Sequence, residues 1–436
     1  MLTSLLWRPK WAADPTRTYY ALSGVMALCF VLNSTLNLVY MATVVHLDPL
    51  QMVLVGTVLE ATCFLFEVPT GLVADLYSRR LSVIIGLGLI GGGFLLQGLL
   101  PTFAAVIAAQ VVWGVGYTFT SGATEAWLTD EIGEDAIGPV FTRRQQIGLV
   151  ASFVGTVAAG GLGLVTLRLP MLLAGAGLVT LGATMLLVMP ERRFTPVPRG
   201  QRETLRHMVR SVSAGLSLAR RRRVVRSFFL VSLIVGLSSE AFDRLWTVRV
   251  LHDFRLPDLL GVHGPVLWFT AFSLIGSLVS LTASLVVNRV TPDRVNALHP
   301  HGPLAVLAAV RVLGVLGLAL LGTLWLALGA MWLRGAAATV ARPVEAAWLN
   351  RNLDSRVRAT VLSMNGQADA VGQVLGGPPL GELANRTSVS TALSVSALIL
   401  TPVVLVYARL RPARDAGVSD AADTAGIAPT SAATPG

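Results

Sequence analysis

Twelve times between Tyr19 and Tyr407 the chain runs through about 20 mainly apolar residues, enough to cross roughly 30 Å of hydrocarbon as a helix. Backbone groups in lipid have no water to bond, so a spanning segment must satisfy them internally. The stretches lack the two-residue alternation of barrel strands. The expected fold is therefore an all-α integral membrane protein, with spans at 19–45, 51–76, 81–100, 102–128, 139–166, 169–189, 224–250, 262–288, 303–323, 325–350, 357–384 and 388–409. Charged residues are only 13% of the chain, against about a quarter in soluble domains. Mean hydropathy is +0.67.

The net charge of +10 follows the spans rather than a nucleic-acid surface. With an internal amino terminus, Arg8, Lys10, Arg17, Arg79, Arg80, Arg143, Arg144, Arg289, Arg294, Arg351, Arg409 and the arginines of 191–226 fall on one side. The opposite loops offer little beyond Arg168, Arg255 and Arg386. This positive-inside pattern places the expected protein in a bacterial inner membrane with both termini cytoplasmic. The basic amino-terminal segment (1–18) and long first span do not suit a cleaved signal. The reading divides the chain into a cytoplasmic segment 1–18, a six-helix bundle 19–190, a basic linker 191–223, a second bundle 224–410 and a disordered tail 411–436. The run Arg220 to Arg223 would meet the anionic inner leaflet. Cys29 and Cys63 lie inside apolar spans as small core residues.

The halves carry a faint repeat. The fourth span ends Glu125-Ala126-Trp127-Leu128-Thr129-Asp130 and the tenth ends Glu345-Ala346-Ala347-Trp348-Leu349-Asn350. Gly160-Gly161 and Gly376-Gly377 follow at similar distances. Matching ends across a six-plus-six split imply a pseudo-two-fold axis with a substrate path along it.

Between the second and third spans stands Gly71-x3-Asp75-x3-Arg79-Arg80, preceded by Glu67-Val68-Pro69-Thr70. On this loop the chain resembles the major facilitator superfamily over residues 19–410. With Ser239-Glu240-Ala241-Phe242-Asp243-Arg244-Leu245-Trp246 in the seventh span, it resembles the bacterial macrolide and tetracycline exporters within it. The resemblance implies two rocking six-helix bundles and a conformational latch of Gly71, Asp75, Arg79 and Arg80 against the start of the eleventh span, where Arg356 and Arg358 lie. A carboxylate at a helix amino terminus gains about 0.3–1 kcal/mol. Gly71 would permit close backbone approach. Three positions depart from the family pattern. Gln110 stands where an arginine is usual, before Trp113-Gly114-Val115-Gly116. The fifth span has Thr156-Val157-Ala158-Ala159-Gly160-Gly161 without the antiporters' proline. The second-half loop Asn288–Arg294 is degenerate.

Ionisable groups at mid-bilayer cost roughly 2.5–3.5 kcal/mol each on insertion scales, so each needs a reason. Glu60 and Glu67 share a face of the second span, and Asp369 lies near the centre of the eleventh beside Gln367 and Gln373. Because desolvation favours a neutral carboxyl, Asp369, Glu60 and Glu67 are the candidate proton-coupling groups. Glu240–Arg244 and Arg342–Glu345 are expected local ion pairs, while Arg334 should answer an acid on another helix. Asn33, Asn37, Tyr40, Gln110, Trp113, Tyr117 and Gln373 are the candidate cavity-lining residues, interhelical hydrogen bonding being the other reading of each.

The expected function is proton-coupled efflux of amphipathic drug-like compounds by alternating access. Few midplane charges suggest apolar or weakly cationic cargo. The partners are then a small-molecule substrate, protons and the lipid bilayer, without nucleic acid, and the protein works as a monomer. A specific metabolite transporter of the same fold is the alternative, and a membrane-embedded lipid-modifying enzyme the distant one. The six histidines form no ligand-spaced cluster, and no phosphate loop or nucleophile elbow is present, so no metal, cofactor or catalytic residue is expected.

Overall fold

A computed structural model describes residues 14–196, 223–259, 261, 264–290, 301–351 and 355–409. Every regular element among them is helical. The helices are α1 (Pro15–Thr43), α2 (Pro49–Leu76), α3 (Arg79–Leu99), α4 (Phe103–Thr120), α5 (Ala123–Ile132), α6 (Ile137–Gly163), α7 (Leu169–Val188), α8 (Arg223–Asp253), α9 (Val266–Val290), α10 (His301–Leu320), α11 (Leu324–Arg351), α12 (Ser355–Arg386) and α13 (Val389–Arg409). The expected spans are all present, with ends set by local chemistry. Asp48 and Gln51 form a capping box that starts α2, and Pro49 occupies its first turn. Ser78 and Thr102 cap α3 and α4 through their hydroxyls.

One span differs from the sequence expectation. The stretch 102–128 is two helices, α4 and α5, broken at Ser121-Gly122, where Gly122 takes φ +71°. That conformation costs glycine little and other residues much, so the break belongs to this residue. Another span is unusual in composition. Eleven spans are long and apolar enough to cross a membrane by length and composition. The other, α12, is too polar, and it packs against α8 and α2. Protein contacts give its polar side chains the partners that lipid cannot.

Helices α1 to α7 pack among themselves through α3 on α4 and α7, α1 on α6 and α7, and α2 on α4. The second group forms through α8 on α12 and α13, α10 on α11 and α13, and α9 on α11. The seam between the groups brings α2 against α8 and α12, and α1 and α6 against α9. Within the second group α8 and α12 lie almost backbone to backbone. A Cβ on Gly236 would strike the Asp369 carbonyl, and one on Gly372 or Gly376 would strike the α8 backbone at Leu233 or Leu237. Such contact needs glycine and is a common route to tight helix association in membranes.

The face where α1 begins and α2 ends is termed the near face, and the opposite one the far face. At the far face the two groups are sewn together. The Asn385 side chain donates to Asp48 Oδ1 at 3.0 Å and accepts from the Leu50 backbone N–H at 3.2 Å. Gly381 rests on Leu50 and Val53, Gly377 on Val53 and Thr57, and Gly160 on Thr270. Towards the near face Leu149, Phe153, Leu278 and Leu281 are exposed, on the facing helices α6 and α9. The groups part there.

Candidate functional site

The near-face loop is built around its two arginines. Asp75 closes α2, Ser78 caps α3, and Arg79 and Arg80 open α3. Arg79 donates to Asp130 Oδ2 at 2.5 Å and to the Ala126 carbonyl at 2.8 Å, both on α5, while Asp75 lies 3.7 Å from its guanidinium. The Arg80 backbone N–H and the Ser78 hydroxyl both donate to Glu191, at 2.9 and 2.6 Å. Trp127 donates to the Pro190 carbonyl, and Glu131 accepts from the Arg192 and Arg193 backbone. The doublet thus ties α2 and α3 to α5 and to the chain leaving α7. Asp75 remains half exposed, and a Cβ on Gly71 would meet nothing within 4 Å among the described residues. The expected partners Arg356 and Arg358 have side chains outside the described residues, as does Asp354.

Deeper in the first group lies a neutral polar network. Trp113 donates to Gln110 Oε1 at 2.8 Å, Gln110 to Gln97 Oε1 at 3.3 Å, and Gln97 to Asn37 Oδ1. The Tyr40 hydroxyl donates to the Gln97 carbonyl at 2.8 Å. Tyr40, Gln97 and Gln110 are buried, and Phe30 and Phe94 close round the Trp113 ring. Asn37, Tyr40, Gln110 and Trp113 are thus bonded within the first group, and Asn33 is buried with its side-chain oxygen unpartnered. The residue that joins the network, Gln97, escaped the sequence reading. It stands near a span end, where a polar residue reads as a boundary.

The seam holds the charges. Arg244 donates to Glu240 at 2.8 Å, and this pair lies against Gly56 of α2, with Gly377 of α12 also on Glu240. Glu60, one turn beyond Gly56, has Glu240, Arg244, Asp369 and Asp243 as its charged surroundings. Asp369 accepts from Gln373 at 2.9 Å across one turn of α12. Glu67 lies exposed two turns from Glu60. Arg334 does answer an acid on another helix, Asp243 of α8 at 3.7 Å, and stacks on Phe242 at 3.6 Å. The Arg342–Glu345 pair is not formed among the described residues. Glu345 instead accepts from the Tyr407 hydroxyl of α13 at 2.8 Å, a buried partner 62 residues away.

Among the described residues a cavity in three joined chambers runs from within the first group, across the seam, and into the second. The first, about 510 Å³, includes Tyr117, Gly122 and the Glu125–Arg144 ion pair at 3.2 Å. The middle one, about 710 Å³, lies between α6 and α9 and includes Gln145, Ser152, Thr156, Ser277, Ser280, Ser284 and Thr339. The last, about 360 Å³, is an open hollow bordered by Trp246, Phe272, Met331 and Trp332. Ala27, Gln145 and Gly148 are shared by the first two, and Ser277 and Ser280 by the last two. Among the described residues lining these chambers, Tyr117 is the candidate lining residue present. The serines of α9 recur at i, i+3 and i+4 spacing from Ser273 to Ser284, a signal readable in the sequence but indistinguishable there from ordinary small packing residues.

The sequence profile of the Major Facilitator Superfamily matches residues 20–377. The MFS-type transporter YxaM of Bacillus subtilis (strain 168), itself uncharacterised, is 21% identical over 394 residues, covering 89% of this chain and 94% of that protein. Among solved structures, the nucleoside transporter NupG superposes with a TM-score of 0.73 at 15% identity, covering 91% of this chain and 98% of its own. A bacterial homologue of the human lysosomal transporter Spinster, in an inward-facing and unoccupied conformation, superposes with a TM-score of 0.64 at 14% identity, covering 91% and 95%.

Proposed function

The chain belongs to the major facilitator superfamily and is a membrane transporter of small molecules, and we propose that it exports amphipathic compounds in exchange for protons. One observation carries the reading: the helix groups are joined at the far face and parted round a cavity toward the near face. That is one end of an alternating-access cycle, and the near face is then cytoplasmic, as the arginine distribution requires. The cavity mixes aromatic and aliphatic walls with a few polar groups, which suits an amphipathic ligand. The protein works as a monomer in a bacterial inner membrane, each chain carrying its own path.

Coupling falls to the seam. Glu60 on α2, and Asp369 beside Glu240–Arg244 on α12 and α8, sit where the two groups slide past one another. A carboxyl that binds a proton in one state and releases it in the other would couple the two movements. Gln110, in place of the family's usual arginine, is committed to a neutral network, so the seam rather than α4 carries the proton. Asp75, with Arg79 and Arg80 and the arginines opening α12, acts as the near-face latch of the opposite state.

A second reading, transport of one polar metabolite, draws on the hydroxyl-rich middle chamber and on fold neighbours described as nucleoside and peptide transporters. Expression in an efflux-deficient host with a compound panel separates the two. Uncoupler-sensitive resistance to several unrelated amphipathic compounds is the expected result. Unchanged susceptibility across the panel, with membrane expression confirmed, would overturn drug export and leave the metabolite reading.

A further inference from the structure

Within the spans of the second group, arginines fall into two kinds. Arg244 bonds Glu240, and Arg249 pairs with Asp253 and donates to the Leu318 carbonyl. Arg311, Arg334 and Arg342 are different. Among the described residues none of the three makes a hydrogen bond, and the buried Nε groups of Arg311 and Arg334 have no acceptor. The link from Arg334 to Asp243, at 3.7 Å, is beyond hydrogen-bond length. The nearby carboxylates make their hydrogen bonds elsewhere, Glu345 with Tyr407 and Asp369 with Gln373, so they neutralise charge near the arginines without accepting from them.

The three belong to one place. Gly314 of α10 packs directly under Arg334 of α11, and these helices run antiparallel, so Arg311, three residues before Gly314, comes level with the turn between Arg334 and Arg342. Arg334 and Arg342 are separated by eight residues, about 12 Å of helix. Arg311 and Arg342 are the cationic surroundings of both Arg334 and Asp369. The site opens on the transport path: Gly335 and Thr339 line the cavity, and Arg342 follows them one turn on, on the same face, with its side chain exposed. Arg334, braced by Phe242 against one face of its guanidinium, faces Asp243 at 3.7 Å with one terminal nitrogen and keeps its Nε–H without an acceptor.

Two buried guanidinium Nε–H groups without acceptors, on Arg311 and Arg334, are a cost inside a membrane protein. Buried polar groups in native proteins are nearly always bonded, and exceptions call for a missing partner. We propose that the missing partner is the cargo's own oxyanion: a carboxylate, sulfonate or phosphate on an apolar body, received first by Arg342 and held by Arg334 and Arg311. The inference rests on the transport reading above and narrows it, replacing weakly cationic cargo with anionic cargo. Planar, forked recognition of an oxyanion is what guanidinium groups do best.

The test uses full-length protein in phosphatidylcholine vesicles and three fluorescent congeners that share one apolar body and end in a carboxylate, an amide or an amine. Both binding and gradient-driven movement are read. The carboxylate congener should bind at least tenfold more tightly than the other two, and Arg342→Gln should erase that preference while leaving amide binding unchanged. Arg342→Lys, which keeps the charge but not the fork, should restore part of it. If congeners move without discrimination by charge, or the amine is preferred, the anion site is overturned and the transport reading stands. If the carboxylate binds with the expected preference but nothing moves, the site stands and the transport reading fails. Equal loss for all three congeners in Arg342→Gln would make the arginine merely structural. Adding phosphatidylglycerol separates cargo from lipid: if only the lipid binds, the anionic-cargo assignment is overturned.

Discussion

The two helix groups hold their interior polar residues in opposite ways. In the first, Asn37, Gln97, Gln110 and Trp113 are neutral, buried or half-buried, and bonded to one another in a chain. In the second, and on the α2 edge that touches it, the interior groups are ionisable. Some are paired, as Glu240 with Arg244, while Arg311 and Arg334 retain bare Nε donors deep in the spans, where among the described residues the first group has them only at its near-face loop, on Arg79 and Arg80. A bonded neutral network gains nothing further from a ligand and fixes the packing of three helices. Open charges keep a reason to bind or to change partner. The first group therefore reads as the frame and the second as the working half.

The contrast can be broken by substitution, the largest effect coming from the working half. Asp369→Asn should abolish proton-coupled transport in loaded vesicles while leaving folded protein in the membrane. Retained, gradient-sensitive transport would remove Asp369 from the coupling role. In the frame, Gln97→Leu strands Asn37 Oδ1 and the Gln110 side-chain N–H, while Trp113 keeps its bond to Gln110, and should cost about 1–2 kcal/mol. That loss is measured by thermal unfolding in detergent, and activity per folded molecule should stay unchanged. A transport defect with normal stability would dissolve the distinction between the halves.

Smaller effects sharpen it. Asn385→Ala removes both hydrogen bonds of the far-face clasp, and a loss of about 1 kcal/mol would shift the balance of states roughly fivefold toward far-face opening. Spin-label distances across that face report the shift. The Glu382–Arg386 pair, exposed on the same helix end, is the counter-case. Glu382→Gln should change stability by no more than a few tenths of a kcal/mol and leave the distances alone.

Much of this was legible in sequence. Span number and order follow from apolar run length, and the need of Arg334 for an acid on another helix follows from the lack of one nearby. What escaped reading were choices among competing partners. Arg342 and Glu345 have suitable spacing for a pair, yet Tyr407, remote in the chain, takes the carboxylate. The split at Gly122 falls at Thr120-Ser121-Gly122, a short polar turn signal that the long apolar stretch on its amino-terminal side masked. The serines of α9 become a cavity wall only because α6 stands away from them at that level.

The glycine contact between α8 and α12 has a mechanical meaning. Helices locked backbone to backbone at Gly236, Gly372 and Gly376 cannot slide independently, so they form one two-stranded beam. Asp369 and the Glu240–Arg244 pair are mounted on that beam together. A displacement that protonation of the aspartate causes is felt at the ion pair, because both ride on one part. The surface that must slip is the other one, where the beam bears on α2 at Gly56, Gly377 and Gly381. The smoothness of that bearing, set by side chains no larger than hydrogen, would govern how fast the transporter turns over.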